Sequence, residues 1–189
     1  MVEFRNVTKS FDKRPILESF SLVLDKGKLT ILMGESGRGK TTLLRIAAGL
    51  EKIDSGEFFS DESFAVMFQE PRLLPWKNAR DNVRAVLPKE HFSLADKYLS
   101  AVGLSEDKDK YPHELSGGMA QRVALARFFA YSEATEATLL LLDEPFSALD
   151  DVTAKRMLTL LKEHSKGKTV LMVTHRSSDA EFADKIITL

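Results

Sequence analysis

The chain has 189 residues, 43% hydrophobic and 29% charged, with a formal net charge of -1. That length supports one domain over 1–189 with a real core, and the near-balance of charge excludes a disordered chain and the basic footprint of a nucleic-acid binder. Cysteine is absent, which removes a disulfide framework, a thiolate zinc site and a cysteine nucleophile together; with no secretory signal and no apolar run of the roughly 18 residues a membrane span needs, a soluble, cytoplasmic protein is expected.

In chain order, VEFRNV and FSLVL alternate as half-buried strands, with charged and turn residues from Asp12 to Pro15 between them. Phe11 lies on that intervening segment and, taken alone, reads as a plug at the edge of the core sooner than as a stacking platform for a nucleobase. LTILM is a continuous apolar strand of the kind buried on both faces of a parallel sheet. It delivers GESGRGKTT, residues 34–42, which fits Gly-x-x-x-x-Gly-Lys-[Ser/Thr] through Gly34, Gly39, Lys40 and Thr41.

The chemistry asks for these residue types. A triphosphate is a dense anion, held by a loop whose amides all point inward; Gly34, Gly37 and Gly39 carry no β-carbon penalty for that shape. The helix that follows offers unsatisfied amides and a positive dipole end. Lys40 reaches the outer phosphates as a point charge and the Thr41 hydroxyl is a magnesium ligand, with Glu35, Ser36, Arg38 and Thr42 completing the candidate loop.

The helix after the loop places Leu43, Ala47 and Leu50 on one stripe and ends at Gly49. A short pair of strands follows, EFF and FAVMF, and then QEPRLLPW, whose prolines and tryptophan make it a surface loop with apolar content left to dock. Residues 77–113 read as helices joined by polar turns, a small lobe inserted into an α/β core of residues 1–70 and 114–189. In LSGGMAQRVALARFFA, Ser116 caps a helix whose Met119, Val123, Ala126 and Ala130 share a face. The pair Gly117 and Gly118 costs up to about 1 kcal/mol per residue there, so either a bare backbone is needed for an anion or this is an ordinary capped helix.

LLLLDEP ends an apolar strand in two adjacent carboxylates, costly unless a cation faces them. Asp143 is therefore the candidate magnesium ligand and Glu144 the residue that orients or deprotonates water. TVLMV is another buried strand, ending in His175. Gly34, Asp143 and His175 all arrive at strand carboxyl ends, where ligands gather in open α/β sheets; His91, His113 and His164 lack that placement and read as surface or structural groups. DAEFAD reads as helical, IITL as a final strand, and no further domain is expected.

The ordered set of phosphate loop, Gln69, LSGGMAQR, LLLLDEP, SALD and His175 resembles the ATP-binding cassette ATPases over nearly the whole chain. The resemblance implies a P-loop NTPase fold with a mainly parallel sheet, a small antiparallel region and an inserted helical subdomain. It implies that Phe11 stacks on adenine, that Gln69 helps hold magnesium and senses the γ-phosphate, that Asp143 is the metal-site aspartate and Glu144 the catalytic glutamate, and that His175 is the switch histidine. Asp150 would link two active sites, and Ser116, Gly117 and Gly118 would bind the γ-phosphate of ATP held by a second subunit.

A homodimer closing around two MgATP, integral membrane permease subunits, a solute-binding protein and a place on the inner face of the cell membrane are implied in the same way, with no nucleic acid. QEPRLLPW is similar to the loop of nitrate, sulfonate, taurine and thiamine-precursor importers. Met119 stands where many members have glutamine, and the region between Gly49 and Gln69 and the helical lobe are short for an importer. The alternatives are a cassette acting on nucleic acid or the ribosome, disfavoured because no coiled-coil insertion or second cassette is present, and a non-hydrolysing scaffold, disfavoured by Glu144 and His175. A GTPase is disfavoured because no Asn-Lys-x-Asp motif appears.

Overall fold

In a computed structural model, residues 1–35 and 37–189 are described. Alternation builds the first strands: β1 (Val2–Phe11) turns Val2, Phe4 and Val7 inward and pairs antiparallel with β2 (Arg14–Leu24). The turn between them is Asp12 and Lys13, with φ of 48° and 65°, the mirror-image geometry that matches strand twist. The strand pair expected from EFF and FAVMF splits between two sheets. β4 (Ser55–Ser60) pairs with β1 to complete a sheet of order β2-β1-β4. β5 (Phe64–Met67) becomes the edge of a parallel sheet of order β5-β6-β7-β3-β8, with β3 (Leu29–Met33), β6 (Leu139–Asp143), β7 (Thr169–Val173) and β8 (Lys185–Thr188).

Every residue of β6 and β7 is buried, which explains their unbroken apolar runs. Their alternation sorts the interior into two layers. Leu140, Leu142, Val170 and Met172 face the helical side, packed with Val83, Leu99, Phe129 and Leu158. Leu139, Leu141, Leu171 and Val173 face the antiparallel sheet and α1 (Lys40–Ala47), packed with Phe4, Leu43 and Ile46. The inserted lobe, α2 (Ala79–Arg84) and α3 (Ser93–Ala101), therefore shares its core with the sheet.

Three expectations change. α1 stops at Ala47, with Gly49 left-handed at φ 67°, so Leu50 falls beyond the helix and is 60% exposed. α4 (Gly117–Ala134) is apolar nearly all round, because it is wedged between the sheet and the lobe and buries Leu125, Phe128 and Phe129 in addition to the expected face. The DAEFAD segment, expected to be helical, is so only in part, as the end of a 3-10 helix over Ser177–Phe182. α5 (Asp151–His164) buries the stripe its spacing predicts, Ala154, Met157, Leu158 and Leu161. Among the described residues no helix is long and apolar enough to cross a membrane.

Candidate nucleotide site

The phosphate loop leaves the carboxyl end of β3, and two of its glycines, Gly34 and Gly39, are fixed by close approach as well as by torsion. A β-carbon at Gly34 would lie 2.3 Å from the Leu189 carbonyl oxygen. At Gly39, φ 87°, it would lie 2.8 Å from Leu17 Cδ2 and 3.0 Å from Ile16 Cγ2, so β2 presses on the entry to α1. Lys40 opens α1 and is nearly buried. Its Nζ donates to the carbonyls of Gly34 at 2.8 Å and Glu35 at 2.6 Å, which ties the ammonium to the centre of the loop. The Glu35 carboxylate and Arg38 form an exposed pair at 3.2 Å. Ser36, a predicted loop residue, lies outside the described residues.

Across the sheet, β6 ends in Asp143, which is 4% exposed. Burial pushes its carboxyl up from the usual range, the hydrogen bond from Thr41 opposes that, and adjacent Glu144 adds to it. Glu144 sits at φ 46°, a left-handed conformation that costs a non-glycine residue about 1 kcal/mol or more. Its N–H donates to the Val173 carbonyl at 2.9 Å, stitching it to the end of β7. Its carboxylate is flanked on both sides: His175 Nε2 lies 2.8 Å from Oε1, and Gln69 Nε2 donates to Oε2 at 3.4 Å. The three candidate catalytic side chains thus converge on one carboxylate.

A cleft of about 380 Å³ opens over this arrangement and is lined by Phe11, Gly37, Gly39, Lys40, Thr41, Thr42, Gln69, Glu144 and His175, all named from the sequence, and by Ile16 and Val173, which were not. Phe11 does not plug the core. It ends β1, is 42% exposed and lines the cleft, with Lys9 Nζ 4.9 Å from the ring centroid. Asp143 adjoins the cleft through Thr41, and Gly34 and Glu35 through Lys40.

Ser116, Gly117, Gly118 and Asp150 do not line it. Ser116 caps α4 by accepting from Met119 N at 3.2 Å, and Asp150 caps α5 by accepting from Thr153 N at 2.9 Å, which holds the Asp150 carboxyl below its ordinary range. A β-carbon at Gly118 would meet the Ala148 carbonyl at 3.2 Å, whereas at Gly117 it would meet open space. Among the described residues no contact requires Gly117 to be bare.

Sequence reasoning passed over the residues that brace the loops. Gln121 Nε2 donates to the Pro145 carbonyl at 2.9 Å from a buried position beside Glu144. Arg127 donates to the carbonyls of Pro71 and Arg72, at 2.5 Å and 3.1 Å, and burial lowers its pKa. Asn82 is fully buried and takes Leu74 N at 2.7 Å, fixing the loop after Gln69 to α2. A single cation inside the apolar run VALARFFA was the available signal for Arg127, since such a charge needs a partner.

The profile of the ABC transporter family matches residues 17–147. The aliphatic sulfonates import ATP-binding protein SsuB 2 of Pseudomonas syringae pv. syringae is 44% identical over 194 aligned residues, which take in all of this chain and 69% of that protein. SsuB 2 of Streptomyces avermitilis is also 44% identical, over all of this chain and 76% of its own length. Among solved structures, the dimeric post-hydrolysis state of the ATP-binding cassette MJ0796 bound to ADP and phosphate superposes with a TM-score of 0.88 at 31% identity, covering 100% of this chain and 94% of that one. With the phosphate loop, the carboxylate pair and the strand-end histidine in place on this fold, the chain belongs to the ABC transporter family and is one of its ATP-binding, ATP-hydrolysing cassettes.

Proposed function

We propose that the chain is the energising subunit of an importer, working as a homodimer that closes around two ATP molecules on permease subunits at the inner face of the membrane. The observation that carries the chemistry is Glu144, held in a left-handed conformation with both carboxylate oxygens engaged by donors. A carboxylate so oriented takes a proton from a water that attacks the γ-phosphorus as the bond to the ADP oxygen breaks. His175 and Gln69 aim that carboxylate, Lys40 and the loop amides neutralise the phosphates, and Phe11 stacks on the base. Thr41, Asp143 and Gln69 form an all-oxygen donor set of the hard kind magnesium takes, and the proximity of Thr41 to the buried Asp143 carboxyl fits it. Bound there with the phosphates, the metal would spread the charge that develops on them.

The second half of each site comes from a twin chain. Among the described residues nothing requires Gly117 to be bare, and it opens the N-terminus of α4, which suits a phosphate brought by another copy. Asp150 heads the neighbouring helix and links the two sites. The permease fits the apolar groove of about 220 Å³ between the β5 edge and α4, lined by Phe64, Met67, Phe68, Val86, Phe128 and Tyr131, with Trp76 of the adjoining loop 70% exposed. The sulfonate importers among the relatives support a small organic anion as cargo, delivered by a solute-binding protein. The chain is one domain, with residues 77–113 as the lobe that moves with the permease.

Replacing Glu144 with Gln tests the reading. Hydrolysis should fall by about 10²–10⁴-fold while ATP turns the protein dimeric in light scattering. A variant that hydrolyses at the normal rate, or stays monomeric with saturating ATP, overturns it.

A further inference from the structure

Behind His175 the chain makes a second turn that faces away from the cleft, and its side chains reach the segment carrying Asp150. Thr174 is buried. Its hydroxyl donates to Asp179 Oδ2 at 2.7 Å and accepts from Arg176 N at 3.1 Å, so the backbone on both sides of His175 is fixed. Asp179 is itself buried, and Arg176 Nε lies 3.6 Å from its Oδ1. The Arg176 guanidinium then crosses to α5: Nη1 donates to the Leu149 carbonyl at 3.1 Å and Nη2 to Asp151 Oδ1 at 2.6 Å, gripping the chain on either side of Asp150.

We propose that Arg176 is a positioning residue for ATP hydrolysis: it clamps the Asp150 turn to the strand end that presents His175, so that a twin chain pressing on that turn sets the angle at which His175 meets Glu144. The proposal rests on the dimeric reading above. The ion pair by itself contributes little, because the Asp151 side chain is 96% exposed and such pairs are worth at most about 1 kcal/mol. The bond to the Leu149 carbonyl, on the buried side of the turn, is the part that transmits position, and a guanidinium alone among side chains supplies both donors in a fixed plane.

The turn and His175 are thus joined by one rigid group. His175 needs that support. Its side chain is 42% exposed and meets Glu144 at 2.8 Å, and a displacement of about 1 Å at a reacting group costs up to 10²-fold in rate. Arg176 does not line the cleft, so its loss acts on the chemical step and leaves the binding of ATP alone.

The test compares Arg176→Met, Arg176→Lys and Asp151→Asn with the unsubstituted protein, in steady-state ATPase and in ATP-dependent dimerisation in a Glu144→Gln background. Arg176→Met should lower kcat by about 10-fold with KM for ATP unchanged, in the range expected for lost positioning. Arg176→Lys, which keeps one donor, should recover part of that loss, and Asp151→Asn should cost less than about 2-fold. If Arg176→Met leaves Asp179 too poorly compensated to fold, Arg176→Met with Asp179→Asn reads the same quantity. A normal kcat in a folded Arg176 variant, or a loss confined to KM, overturns the clamp. Failure of Glu144→Gln alone to dimerise with ATP overturns the dimeric reading on which it rests.

Discussion

The residues around Glu144 and those around Ser116 meet their hydrogen-bonding needs in opposite ways. Lys40, Asp143, Glu144, Gln69 and His175 come from four segments; Asp143 bonds across to Thr41 and Glu144 to Gln69, with His175 2.8 Å away, while Lys40 bonds back to the carbonyls of its own loop. Ser116 and Asp150 bond only within their own first helical turns, and Gly117 faces open space. The first group is a site already assembled, mounted on buried strands whose positions the core fixes. The second is a surface whose shape is set by helix capping and whose use requires something from outside the chain.

Substitution should separate the two. Lys40→Ala removes the cation at the centre of the assembled half and should lower ATPase activity by about 10²–10³-fold, together with the affinity for a fluorescent ATP analogue. Retained affinity would mean that Lys40 does not face the phosphates. Ser116→Arg places a long cation on the capping surface and should lower activity by about 10-fold or more through steric exclusion of a partner, with analogue affinity unchanged. Loss of that affinity would mean that Ser116 belongs to the same half as Lys40.

A mixture of these two variants sharpens the comparison. In a two-fold dimer each mixed pair holds one site built from the intact loop of one chain and the intact Ser116 of the other. Equal amounts should recover up to about a quarter of the normal activity by statistical pairing, whereas either variant alone stays inactive. No recovery in the mixture, with both proteins folded, would place the two halves in one chain.

What the sequence disclosed follows the same division. The phosphate loop was legible because four fixed residue types fall between an apolar strand and a helix, and β3, β6 and β7 were legible because strands buried on both faces need no polar alternation. Phe11 was misplaced because β1 runs on through it and turns on Asp12 and Lys13, a pair with weaker turn character than Asn-Gly. The separation of β4 from β5 depends on which sheet has a free edge, and local pattern carries no such information. The partners of Arg176 lie 25 and 27 residues away at Asp151 and Leu149, where only the folded chain brings them together.

The smallest effect tests how the capping surface is mounted. The helices headed by Ser116 and Asp150, α4 and α5, are tied at their far ends by a partly buried chain of polar groups. Tyr98 donates to Glu133, His164 Nδ1 lies 3.0 Å from the Tyr98 oxygen, Ser132 lies 3.1 Å from Nε2, and Lys168 donates to Ser132 at 2.9 Å. The Tyr98 hydroxyl donates to Glu133, so a proton on His164 Nδ1 can face the Tyr98 oxygen, and Ser132, which accepts from Lys168, can donate to Nε2 of a neutral ring. Burial, then the nearby Lys168 charge, lowers the His164 pKa to about 4.

The unfolded chain, with an ordinary histidine, binds more protons than the folded one between about pH 6.5 and 4. Stability is therefore complete above that window and falls as the pH drops through it. Allowing for the partial exposure of the ring, the loss from pH 7 to pH 5 should be on the order of 1 kcal/mol, or about 2–4 °C in Tm for a chain of this size. His164→Gln keeps a neutral hydrogen-bonding group and should show a smaller drop over the same interval in thermal melts. If the two proteins lose the same stability, another group titrates, and the join between α4 and α5 does not depend on His164 being uncharged.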